Sequence, residues 1–234
     1  MKNINNDTAL PYEELLGRPR YVCDWIPAAE TNGKSVLNVG CGYGWFEKFL
    51  IEHRQPARVV GIEQSEQDLA TARQALAGTL VELKVADGVN LPLPDASFDV
   101  CLSTEVLEHI PKQTEVPFFG EISRVLKPGG RFYLTTPSGH ARSRFTDPAY
   151  FLIGHRHYSV AQIEDYAACS DFELISHDVI GGYADLAAIW DMYISKWIFR
   201  REPMLRDWLQ DKIEQEYQRR DGFLSLFCVL QKSG

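Results

Sequence analysis

The run VLNVGCGYG at residues 36–44 constrains the chain most, because an apolar stretch stops abruptly at closely spaced glycines and an amphipathic segment follows at once. That order reads as a buried strand, a tight turn and a helix start. Val36, Leu37 and Val39 suit a strand covered on both faces, while Gly40, Cys41, Gly42 and Gly44 let the backbone approach a ligand at the positive end of the next helix. The spacing is G-x-G-x-G, not the dinucleotide form G-x-G-x-x-G, and Trp45 stands where a dinucleotide fold needs a small residue. An NAD-linked reductase is therefore disfavoured, and no Gly-Lys-Ser/Thr phosphate loop occurs. What remains is a nucleoside carrying an amino-acid tail.

Further strands follow in a parallel rhythm. Val59, Val60 and Ile62 lead to Glu63, placed where a ribose-binding carboxylate belongs. VELKVADG (81–88) reads as a strand delivering Asp87 to the same rim, near the exocyclic amine of an adenine. SFDVCLSTEVLEHI (97–110) supplies a fourth strand and a helix start, and RVLKPGGRFYLTTP (124–137) a helix, a Pro-Gly-Gly turn and a fifth strand.

Taken in order, the glycine loop, Glu63, Ala86-Asp87-Gly88, Phe98-Asp99-Val100 and Leu126-Lys127-Pro128-Gly129-Gly130 resemble the class I S-adenosylmethionine-dependent methyltransferases, over residues 35–137. The resemblance implies an α/β fold with a doubly wound, seven-stranded, mostly parallel sheet and S-adenosylmethionine as cofactor. It implies cofactor contacts from Gly40, Cys41, Gly42, Gly44, Glu63, Gln64, Asp87, Gly88, Thr104 and Glu105. A non-catalytic scaffold that kept the fold is the alternative from another class.

Length and charge agree. A chain of 234 residues with 45% hydrophobic content suits one domain with an insertion. No apolar run is long enough for a membrane span, and the opening MKNINNDT lacks the apolar core of a signal peptide, so a cytoplasmic protein is expected. The net charge of −8 speaks against a DNA partner. The five cysteines form no C-x-x-C, which indicates neither a disulfide framework nor a zinc site.

Two regions depart from the family plan. Between 138 and 157, Arg142, Arg144 and Arg156 accumulate with His140, His155 and His157 on the loop after the fifth strand, so this loop is expected to face the acceptor, a small molecule of anionic or sugar-containing kind. Residues 183–221 separate the sixth strand from the last and hold two apolar stripes at helical spacing, with Trp190 and Trp197 in the first and Trp208 in the second. This helical insertion reads as a lid, a homodimer face, a membrane-surface helix or plain core. The division is then a helical cover (1–31), an α/β core (32–182 and 222–234) and the insertion (183–221).

The segment Glu105-Val106-Leu107-Glu108-His109 carries the finest chemical clue. On a helix, Glu105, Glu108 and His109 share a face and can hold a divalent ion. The pattern resembles the E-x-x-E-H of 3-demethylubiquinone and small-RNA 2′-O-methyltransferases, which implies a metal with His157 as a later ligand and His155 second. Acidic residues that cap a helix, with a locally packed histidine, are the other reading. For the acceptor's proton the candidates are His109, His140, His155 and His157. No N-P-P-Y-type tetrapeptide follows the fourth strand, so the resemblance favours oxygen acceptors on small molecules, with an RNA or lipid-linked acceptor as alternative.

Overall fold

Residue 38, in the middle of the first strand, is an asparagine among valines and leucines, and what it meets explains how the glycine loop is anchored. The computed structural model describes residues 10–152 and 154–234; the start of the expected N-terminal cover and the side chain of Arg206 lie outside the described residues. Strands β1 (Ser35–Val39), β2 (Arg58–Glu63), β3 (Glu82–Val85), β4 (Phe98–Thr104), β5 (Leu126–Pro137), β6 (Phe172–Ile180) and β7 (Ser225–Lys232) form one sheet in the order β3-β2-β1-β4-β5-β7-β6. Only β7 runs antiparallel to its neighbours. This is the expected doubly wound sheet. Its order reverses between β1 and β4, so the loops leaving these two strands flank the crevice where such sheets hold ligands.

Alternation along the central strands feeds two cores. Leu37, Val39 and Cys101 face one side, joined by Phe118, Phe119 and Ile122 of α5 (Glu115–Val125) and Ile163 of α8 (Val160–Ala168). Val36, Val100 and Leu102 face the other, against Val22 and Cys23 of α1 (Arg18–Trp25) and Phe46, Phe49 and Leu50 of α3 (Trp45–His53). Ser159 caps α8 in a reciprocal box with Gln162, and Ser65 caps α4 (Glu66–Ala75) by accepting from the Asp68 amide. The Pro-Gly-Gly segment lies within β5 as a break in register: Phe98 pairs with Leu126 but Val100 with Arg131, and Gly129 absorbs the excursion at φ +75°.

The insertion contains α9 (Tyr183–Ile194), a π turn (Ser195–Phe199) and α10 (Leu205–Tyr217). Leu209, Ile213 and Tyr217 of α10 complete the second core, so that half of the apolar stripe is structural. The two helices exchange caps. Glu216 accepts from the amides of Gly182, Ala184 and Asp185 at the start of α9, and Asp191 of α9 accepts from Met204 and Leu205 at the start of α10.

Asn38 donates its side-chain amide to Oε1 of Glu47 on α3 at 2.8 Å, and burial pushes the Glu47 carboxyl up from 4.5 to about 7. Between those values the unfolded chain has released a proton that the fold retains, so this group makes stability fall as pH rises, with no further loss above about 7. The gap corresponds to about 3 kcal/mol. Glu47→Gln stays neutral and keeps an acceptor for Asn38. Denaturant titrations should show it gaining on the parent from about pH 4.5 to about pH 7, by up to ~3 kcal/mol; a constant difference would refute the assignment.

Candidate functional site

The glycine loop turns on residues that only glycine suits. Gly40 sits at φ +83°, and a Cβ there would lie 2.1 Å from Cγ2 of Val106. Gly42, at φ +52°, has nothing within 4 Å of its Cβ position, and Gly44 faces Leu76, the residue that ends α4. The loop therefore approaches the turn after β4 at Gly40 and is open at Gly42. Glu63 ends β2 with both carboxylate oxygens oriented by backbone amides, Oε2 by Gly42 and Oε1 by Ser65, each at 3.0 Å.

These loops enclose a cavity of about 390 Å³ lined by Gly40, Glu63, Gln64, Asp87, Gly88, Thr104, Glu105 and His109, among others. Cys41 is buried behind the loop, and neither it nor Gly42 nor Gly44 forms part of the wall. Asp87 lies just past the end of β3, where its Oδ1 accepts from the Val89 amide.

A second cavity of about 200 Å³ adjoins the first, and Glu105 and His109 line both. Its other walls are Arg18 from α1, Glu108, Ser143 of α6 (Ala141–Thr146), Asp147, Ala149 of α7 (Pro148–Leu152), His155, and the inner face of α9 with Leu186, Ile189, Met192 and Tyr193.

Residues 105–109 form a turn, not the expected helix; α5 begins only at Glu115. Glu105 takes a left-handed φ of +53°, strained for a side chain of this size. Three contacts hold it there: its amide donates to Thr135 O at 2.9 Å, Oε1 accepts from the Thr135 hydroxyl at 3.1 Å, and Oε2 pairs with Arg18. Arg156 fixes the rest, donating to the carbonyls of Leu107, Glu108 and Ile110 and pairing with Glu115. It is consumed by this structural work and does not face an acceptor as expected. Arg142 and Arg144 are exposed outside both cavities.

The expected metal set is not assembled: Glu105, Glu108 and His109 border the second cavity, but each is held apart by its own surroundings and His157 lies outside it. Glu105 is engaged by Arg18. Glu108 is buried, which pushes its carboxyl well up, an effect the nearby Glu105 charge adds to; one oxygen accepts from Thr136 and the other has no hydrogen-bond partner among the described residues. His157 is buried with Nδ1 2.9 Å from Ser138 O and Nε2 3.0 Å from Asp147 Oδ2, so no ring nitrogen is left for a metal or for an acceptor's proton. Among the described residues no cluster of His, Cys, Asp or Glu could hold an ion. The residues present do not fit a metal.

The remaining histidines divide sharply. His140 is exposed and caps α6 through Nδ1, accepting from the Arg142 amide. His155 lies 3.7 Å from Asp147 and packs edge-on against His109, ring centres 4.6 Å apart. Burial tends to raise the Asp147 carboxyl, but the His155 and His157 rings and the Ala149 amide overcome it and hold the group well below the usual range. For His109, burial and the neighbouring His155 lower the ring's affinity for a proton, so the imidazole is neutral at neutral pH. The roles of Arg18 and Asp147 had no sequence signal: each is brought in by tertiary packing from a segment without a motif, whereas α9 was marked by its apolar stripe but not by which neighbour it would cover.

Residues 37–134 match the methyltransferase-domain family. A Mycolicibacterium smegmatis protein named "Probable S-adenosylmethionine-dependent methyltransferase" is 31% identical over 161 residues, which cover 67% of this chain and 60% of that one. A fatty-acid O-methyltransferase of the same organism is 34% identical over 120 residues, 51% of this chain and 42% of the relative. The chain thus spans about 60% or less of the length of these relatives. In fold, it superposes on an S-adenosylmethionine-dependent methyltransferase from Mesorhizobium loti with a TM-score of 0.64 at 20% identity, covering 95% of this chain and 100% of the other. The sheet order, the glycine loop and these likenesses together make the chain a member of the class I S-adenosylmethionine-dependent methyltransferase family.

Gly40→Ala should cost ~2–4 kcal/mol, because the new methyl meets Val106 and strains a left-handed backbone. Gly42→Ala, facing open space, should cost only ~1 kcal/mol of backbone strain. Denaturant unfolding of both variants checks this; equal losses would show that Val106 yields.

Proposed function

We propose that the protein transfers a methyl group from S-adenosylmethionine, held in the larger cavity, to an oxygen of a small molecule held in the smaller one. The observation that carries this reading is the junction: two cavities of different character share a wall formed by Glu105 and His109. The larger suits a nucleoside, with Glu63 offered to ribose hydroxyls and Asp87 to an adenine amine. Bound there, S-adenosylmethionine supplies an already activated methyl group.

The chain's own residues then align the acceptor, exclude water and remove one proton. The apolar face of α9 with Ala149 and Leu224 holds the acceptor's body, and the polar end near Arg18 and Glu105 holds its reacting oxygen. His109 is the base we assign, since its neutral ring opens onto both cavities while His157 and His140 are engaged elsewhere. The relative named for fatty-acid O-methylation supports an oxygen acceptor with an apolar body. The spent charge of Arg156 removes one reason to expect an anionic one.

Calorimetry with the demethylated cofactor should show binding that Glu63→Ala weakens by roughly 10- to 100-fold, the loss of hydrogen bonds to a charged group. Labelled methyl transfer into a cell extract should fall about 10²- to 10⁴-fold in His109→Gln with cofactor affinity kept. Leu186→Trp, which fills the second cavity, should behave likewise. Undiminished transfer in Leu186→Trp would remove the acceptor from that cavity.

A further inference from the structure

Of the seventeen large hydrophobic side chains left exposed among the described residues, twelve fall in two segments, 145–152 and 190–208. The segments are joined in space: the Trp190 indole N–H of α9 donates to the Thr146 carbonyl at the end of α6, at 2.8 Å. The π turn after α9 then projects Trp197, Ile198 and Phe199, exposed by 56%, 69% and 60%. α7, whose Ala149 lines the same cavity as Tyr193 near the end of α9, presents Phe151 at 63%. A patch of this composition on a folded chain marks an interaction surface.

Charge identifies the partner. The whole chain carries −8, yet the exposed charges at these two segments are mainly basic, with Arg142 and Arg144 on the turns of α6 just before the first and Arg200 and Arg201 within the second, against the exposed Glu202. Arg201 lies over the Phe199 ring, 5.1 Å from its centre, so cation and apolar surface belong to one site. A second copy of the same face would bring arginine against arginine, which complementarity disfavours. Tryptophan and aliphatic side chains bordered by arginine suit the boundary between acyl chains and phosphate headgroups. No helix among the described residues is long and apolar enough to cross a membrane, so the contact would be peripheral.

We propose that the face built from α7, the end of α9 and the π turn docks on an anionic lipid surface, with Trp197, Ile198 and Phe151 at the acyl boundary and the arginines at the phosphates. The inner sides of α7 and α9 wall the second cavity. If the methyl-transfer reading holds, on which this clause rests, a lipid-borne acceptor reaches the cavity without crossing water; the docking itself does not depend on that reading.

Sedimentation of the full chain with vesicles tests it, using phosphatidylcholine alone and phosphatidylcholine mixed with phosphatidylglycerol. Binding to the mixed vesicles should exceed binding to the neutral ones by at least about tenfold, should weaken with salt, and should shift tryptophan emission to the blue. Ile198→Glu with Phe199→Glu, and separately Phe151→Glu, should each lose about tenfold in vesicle affinity. These side chains are more than half exposed, so circular dichroism and binding of the demethylated cofactor should be unchanged. Arg200→Glu with Arg201→Glu should abolish the preference for anionic vesicles. The proposal is overturned by absent binding, by equal binding to both vesicle types, by variants that bind as well as the parent, or by a dimer that Ile198→Glu dissolves without any vesicle binding. Failure of cofactor binding would count against the methyl-transfer reading alone.

Discussion

The ion pair between Arg18 and Glu105 is the contact on which the site's geometry depends. It joins the first long helix to a residue whose backbone is left-handed, and with the two Thr135 contacts it holds Glu105 upright as the partition between the cavities. Burial would tend to disfavour the arginine's charge, but Glu105 and the further oxygens of Tyr217 and Asp185 hold its proton affinity above the usual value. A carboxylate here without Arg18 would stand beside the buried Glu108, two acids with little water between them. The N-terminal helix is therefore part of the site's electrostatics as well as a cover for the sheet.

The fold and the crevice at its switch point were legible because they obey local rules. An apolar strand ending in glycines, and acids at successive strand ends, require nothing from distant chain; the doubly wound sheet follows once the strands are parallel. The second cavity was not legible. Reading Glu105, Glu108 and His109 as one helix face assumed a local rule where a distant residue decides: Arg156 occupies three carbonyls of the 105–110 segment and holds it as a turn. The same arginine, with His157, had looked like surface charge awaiting a substrate. Side chains that saturate one another across the fold cannot be distinguished in sequence from side chains awaiting a ligand.

The insertion splits along similar lines. Its second helix continues the core begun by α3 and β1, whereas its first has two apolar faces, one toward the cavity and one toward solvent. A single stripe at helical spacing does not reveal which neighbour will cover it.

The exchanged caps of α9 and α10 carry a consequence for how this region comes apart. Each helix start is satisfied by a carboxylate from the other helix, and Glu214 of α10 in turn accepts from the Gly17 amide just before α1. Pulling one helix away leaves buried amides without acceptors at the far end of its partner, so fraying at either end propagates. The pair then melts or persists as one cooperative unit, and an event that loosens α9 also loosens the start of the helix that carries Arg18.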